Sequence, residues 1–109
     1  MSVLHITRGL PGSGKTYWAA SWVAENPDGR ARINRDDLRT MVHNGQWIKG
    51  VTEPRIIAVR DASILALLGA GVDVVCDDTN LPQRTARDLL GLATKAGAGF
   101  EVHNFTSTP

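Results

Sequence analysis

Cysteine is nearly absent. The one thiol, Cys76, leaves no internal disulfide and no cysteine-based zinc cluster. It stands in an apolar run where a small buried side chain is expected, so an intracellular, cytoplasmic location is the easier reading. No apolar stretch approaches the length of a membrane span, and no basic leader precedes a long apolar block, which argues against membrane insertion and secretion. Net charge is nearly absent too: 12 basic and 11 acidic residues leave +1, and that balance argues neither for nor against a polyanionic partner. Repeats, linkers and low-complexity tracts are missing. What remains is a chain of 109 residues, 42% hydrophobic and 21% charged, the composition and size of one soluble globular domain over residues 1–109. Nine of the twelve basic residues are arginines, whose planar guanidinium suits bidentate phosphate recognition.

One stretch organises the rest. Gly9-Leu10-Pro11-Gly12-Ser13-Gly14-Lys15-Thr16 follows the apolar run Val3-Leu4-His5-Ile6 and opens a helical pattern, which is the phosphate-binding loop G-x-x-x-x-G-K-[ST] in its proper setting. Glycines at 9, 12 and 14 let the backbone turn with its N–H groups inward, and the helix adds the positive end of its dipole. Lys15 would reach the β- and γ-phosphates of ATP, Thr16 would coordinate Mg²⁺, and Ser13 and Tyr17 complete the nucleotide contacts. The competing reading is a glycine-rich strand-to-helix turn that binds nothing.

Beyond the loop, helical spacing runs from Lys15 to about Glu25, with Trp18, Trp22 and Val23 on one face. That tryptophan pair reads as packing rather than as a platform for a base. Arg30–Asn34 reads as a short strand, and Arg35–Val42 as a helix capped by an acidic or amide side chain. Asp36 and Arg39, three residues apart, share a face there and could address one substrate; alternatively Asp36 or Asp37 is only a cap. Residues 43–52 have no period, and Trp47 within them could stack on a base or be partly buried. A long helix over 53–70 with Thr52 as cap and Ile57, Ile64 and Leu68 on one face leads to a β-branched strand at 72–76. Asp77 and Asp78 follow at its carboxyl end, the edge at which ligands gather in open parallel sheets, although two aspartates before Thr79-Asn80 also make an ordinary turn. A last helix from Pro82, with Ala86, Leu89, Leu90 and Ala93 on one face, and a strand at 100–105 complete an α/β P-loop NTPase-type three-layer sandwich with a mainly parallel sheet.

Three blocks now stand in order: Gly-Leu-Pro-Gly-Ser-Gly-Lys-Thr at 9–16, Ile-Asn-Arg-Asp-Asp-Leu-Arg at 33–39 and Cys-Asp-Asp-Thr-Asn at 76–80. Together they resemble the kinase domain of the phage-type 5′-polynucleotide kinases, within the P-loop kinase superfamily. The resemblance implies transfer of the γ-phosphate of ATP to the 5′-hydroxyl of DNA or RNA, with a nucleic acid 5′ end as partner, in repair inside a cell, a phage-infected host included. Carried over by position, it makes Asp36 the general base, Arg39 the contact to the acceptor phosphate, and Asp78 the aspartate supporting Arg39 and the pocket. Arg35, Thr79 and Asn80 join the substrate side. The family continues into a lid-like segment carrying an arginine, and this sequence stops before it. A small-molecule P-loop kinase and a nucleotide- or nucleic-acid-binding remnant with little turnover stay open beside the polynucleotide kinase.

Overall fold

The computed structural model describes residues 1–9, 12–78 and 82–105. Eight elements run in order: β1 Val3–Gly9, α1 Lys15–Glu25, β2 Arg30–Ile33, α2 Arg35–His43, α3 Thr52–Gly69, β3 Asp73–Cys76, α4 Gln83–Lys95 and β4 Gly99–Phe105. The strands form one sheet in the order β2-β3-β1-β4, and all three pairings are parallel. Because they run the same way, β1, β2 and β3 deliver Gly9, Ile33 and Cys76 to one edge of the sheet. The segments leaving those three strand ends build the site.

Alternation along the strands sorts the two faces. Leu4 and Ile6 of β1 and Val74 and Cys76 of β3 meet Ile64 and Leu68 of α3 and Leu89 and Ala93 of α4 in the buried core. His5 points to the opposite face, against Trp22 of α1. Helices on both faces of a parallel sheet make the expected sandwich. Cys76 is fully buried, and burial, reinforced by Asp78, pushes its thiol far above the ordinary range, so it behaves as a small apolar side chain. The Trp18 and Trp22 rings stack at 6.1 Å, consistent with packing.

Asn34 supplies the amide cap of α2, its side chain accepting from Asp37 N at 2.8 Å. Three local expectations change. In α3 the buried stripe is Ile56, Arg60, Ile64 and Leu68, each four residues on, which leaves Ile57 36% exposed. Thr52 does not cap that helix. Its hydroxyl accepts from Ile48 N at 2.8 Å and so fastens the loop before it. On α4, Leu90 turns to solvent while Leu89 and Ala93 are buried. No helix among the described residues is long and apolar enough to cross a membrane.

Candidate active site

The phosphate-loop side of the site is made by backbone. Gly9 closes β1 at a point where a Cβ would stand 2.3 Å from the Phe105 carbonyl oxygen of β4, so only glycine lets the strands stay paired there. Gly14 caps α1 at φ 93°, a left-handed conformation that starts the helix immediately after the loop. Lys15 is buried despite its charge, its ammonium donating to the Gly9 carbonyl, whereas Thr16 and Tyr17 are exposed. Gly12, Gly14, Lys15, Thr16 and Tyr17 line an open cleft of about 300 Å³. The Ser13 hydroxyl is buried beside it without a hydrogen-bond partner. An orphan hydroxyl, a lysine and a glycine-lined cleft at a helix N-terminus fit a phosphate group, and the exposed Thr16 oxygen fits Mg²⁺, a cation that prefers oxygen. Leu10 and Pro11 lie outside the described residues.

The facing side is made by side chains from four places in the chain. Asp77 ties the ends of β2 and β3 together, accepting from Arg32 Nε at 2.7 Å and from Asn34 Nδ2 at 3.1 Å. Burial raises its carboxyl above the usual range, and Arg32 and Asn34 only partly offset that. Asp78 is 2% exposed. Its carboxylate accepts from the Arg35 backbone N at 2.7 Å and from Arg35 Nε and an Arg60 guanidinium nitrogen at 3.0 Å each. Glu53, in the first turn of α3, then joins two arginines of α2, taking Arg35 at 2.7 Å and Arg39 at 2.9 Å. Arg39 also donates to Asp36 at 3.0 Å and lies over the Trp47 ring, 4.9 Å from its centroid.

Charges arranged this way hold one another. Burial alone would lower the Arg35 guanidinium, yet Asp78 and Glu53 outweigh it and hold Arg35 above its ordinary value. Burial alone would raise Glu53, but hydrogen bonds from Arg39 and Arg35 outweigh it and keep the carboxyl below the usual range. For Arg60, burial opposes the charge while Asp78 and Asp61 sustain it.

Of the residues singled out from sequence, Arg35, Asp36, Arg39 and Asp78 thus meet in one network, while Thr79 and Asn80 lie outside the described residues. One contact differs. Asp78 supports Arg35 and Arg60 directly, and it is Glu53 that reaches Arg39. Arg35 is the first residue of α2 and sits beside the end of β3, whereas Arg39 is one turn, about 6 Å, further along and faces the start of α3. Glu53 and Arg60 went unread in the sequence. For Arg60 a signal existed: an arginine in the apolar i, i+4 stripe of a helix needs a buried carboxylate, and Asp78 is it. Trp47 is neither buried nor free, being 61% exposed with Arg39 across its face.

A parallel sheet whose first strand runs through a glycine loop into a helix, with an aspartate pair closing another strand at the same edge, defines a P-loop kinase-like fold. The comparisons with known proteins agree with it. A family model described as an AAA domain matches residues 4–109, and the chain belongs to that family of P-loop kinase domains. A chain in the structure of the Pnkp1/Rnl/Hen1 RNA repair complex is similar at 33% identity and TM-score 0.81 over 95% of this chain and 33% of that one. A second structure of the Pnkp1/Rnl/Hen1 complex matches at 32% identity and TM-score 0.83, over 99% of this chain and 36% of that one. The chain therefore spans about a third of the length of these relatives. The Mycobacterium tuberculosis APS kinase CysC in complex with AMPPNP and APS shares the fold at 18% identity and TM-score 0.71, over 94% of this chain and 61% of that one.

Proposed function

We propose that residues 1–109 form one kinase domain that moves the γ-phosphate of ATP to the 5′-hydroxyl of a nucleic acid. The observation that carries the reading is the chain of ion pairs Asp36–Arg39–Glu53–Arg35–Asp78, anchored at the same sheet edge as the phosphate loop. Phosphoryl transfer demands in-line placement, charge neutralisation and one carboxylate to take a hydroxyl proton. Gly9, Gly12, Ser13, Gly14, Lys15 and Tyr17 hold the donor phosphates, and Thr16 holds Mg²⁺, which when bound neutralises phosphate charge. Asp36 takes the proton from the attacking hydroxyl. Arg39 and Arg35 bind the acceptor's phosphate, with Asp78 and Glu53 fixing where the guanidiniums stand, and Thr79 and Asn80 border the same pocket. Exposed Trp47, already stacked on Arg39, offers a face to an acceptor base, which favours a polynucleotide over a small alcohol. Similarity to chains of an RNA repair complex supports the same choice.

The test is label transfer from γ-labelled ATP with Mg²⁺ to a 5′-hydroxyl oligonucleotide, beside a free nucleoside as competing acceptor. The expected result is transfer to the oligonucleotide that Asp36→Asn and Lys15→Ala each slow at least about 100-fold. Transfer to the nucleoside alone would make this a small-molecule kinase. ATP binding without any transfer would make it a binding domain.

A further inference from the structure

The sheet face beneath α1 carries a second constellation, unused by the kinase reading. His5 of β1 stands in register with Glu101 of β4, and His103 lies two residues further along β4, so all three side chains project to one face. They converge closely. His5 Nδ1 lies 3.0 Å from His103 Nε2 and 3.1 Å from Glu101 Oε2, and the third separation, His103 Nε2 to Glu101 Oε2, is 3.9 Å.

Hydrogen bonding accounts poorly for such a triangle. A ring nitrogen carries at most one hydrogen, so His5 Nδ1 can make one well-directed bond to Glu101 or to His103 but not to both. If His103 Nε2 supplies the hydrogen instead, the His5 lone pair faces a carboxylate. A metal ion removes the conflict because it wants three lone pairs. Four-coordinate zinc, with bonds of about 2.0–2.1 Å, places its ligand atoms about 3.4 Å apart, inside the span of the three separations.

The surroundings hold the rings still. Trp18 lies against His103 with ring centroids 4.7 Å apart, and Trp22 meets His5 edge-on at 5.0 Å. Glu101, by contrast, is 61% exposed, which leaves a fourth position open to water. Imidazole with carboxylate suits a borderline transition ion and suits Mg²⁺ poorly, so the ligand set discriminates against the cation expected at Thr16.

We propose that His5, Glu101 and His103 bind one divalent transition ion, Zn²⁺ first, and that it staples β4 to β1. The pairing it fastens runs on to Gly9 opposite Phe105, the contact that backs the phosphate loop. The ion is therefore structural and lies outside the kinase chemistry.

Calorimetric titration of the chelator-stripped full chain with ZnCl₂, in excess Mg²⁺ to saturate the nucleotide site, tests this. The expected result is one saturable equivalent per chain, a melting temperature that climbs with added Zn²⁺, and quenching of indole fluorescence when Co²⁺ replaces Zn²⁺. His103→Gln and Glu101→Gln, both at solvent-reached positions, should keep a cooperative melt and weaken binding at least about 10-fold. Absence of saturable binding, or an affinity that either substitution leaves unchanged, would overturn the site.

Discussion

The two halves of the candidate active site are built by opposite means. The proposed donor side is short in sequence and made of backbone: Gly9, Gly12 and Gly14 shape it, and Lys15 and Thr16 stand on the helical turn after it. The proposed acceptor side is long in sequence and made of side chains, with Arg35, Asp36 and Arg39 from α2, Glu53 and Arg60 from α3 and Asp78 from beyond β3. The difference teaches that binding a triphosphate needs few residues in a fixed local geometry, whereas placing an acceptor needs charges that constrain each other at a distance. Damage should then spread differently: donor variants fail locally, and acceptor variants fail together.

The largest effect should separate the halves outright. Asp36→Asn is expected to slow transfer by about 10²–10⁴-fold with ATP affinity unchanged, the range for loss of a general base. Lys15→Ala should lose about 10²–10³-fold and weaken ATP binding as well. Single-turnover rates beside nucleotide titrations check both. Equal loss of ATP affinity in the two variants would break the division into halves.

Next comes stability. Asp78→Asn leaves Arg60, 3% exposed, without its buried counter-charge, and should cost about 3–5 kcal/mol in denaturant melts. Asp36→Asn, at an exposed position, should change stability by under about 0.5 kcal/mol. On the donor side Gly9→Ala should cost about 1–3 kcal/mol, because its methyl meets Phe105 backbone that cannot turn aside. Asp78 outweighing Gly9 is the order that a charge network predicts and a purely steric fold would not.

These contrasts also explain what was legible beforehand. Periodicity and the loop motif carry local information, so α1 begins and ends at the expected residues and the parallel sandwich emerges from strand and helix order. The contacts of Asp78 are not local. Nothing in Cys-Asp-Asp-Thr-Asn says which arginine it meets, because that depends on how α2 and α3 lie over the ends of the strands. Glu53 was hidden for a second reason: an acidic residue in a first helical turn already has a sufficient role with the helix dipole. Arg60 was the readable exception, a charge on an apolar stripe. Ile57 in place of Ile56, and Leu90 added beside the correctly read Leu89, are errors of phase, since one residue turns a helix by about 100° and adjacent apolar residues leave the buried face undecided.

Trp47 sharpens the comparison at lower amplitude. Trp47→Ala should remove about 1–3 kcal/mol of acceptor binding, seen as a raised KM for the oligonucleotide with the KM for ATP and the single-turnover rate at saturation unchanged. A matching rise in the KM for ATP would place the indole with the donor.

The smallest effect probes the joint of the network. Glu53 accepts from Arg35 and Arg39, which hold its carboxyl below its ordinary value of 4.5. A depressed carboxyl contributes stability that is fully present above the unfolded-state value and is lost as pH falls through the folded-state value. Wild type should therefore exceed Glu53→Gln by about 1 kcal/mol, the worth of partly exposed pairs, from neutral pH down to about pH 5. The gap should close only below about pH 4.5. Asp77 runs the other way, since burial raises its carboxyl and so favours the folded state as pH falls, but both proteins carry Asp77 and its contribution cancels in the difference. Melts in parallel across that range thus isolate Glu53. A gap that closes well above pH 5 would mean that the two arginines do not hold the carboxylate, and the acceptor side would then be two separate pairs instead of one network.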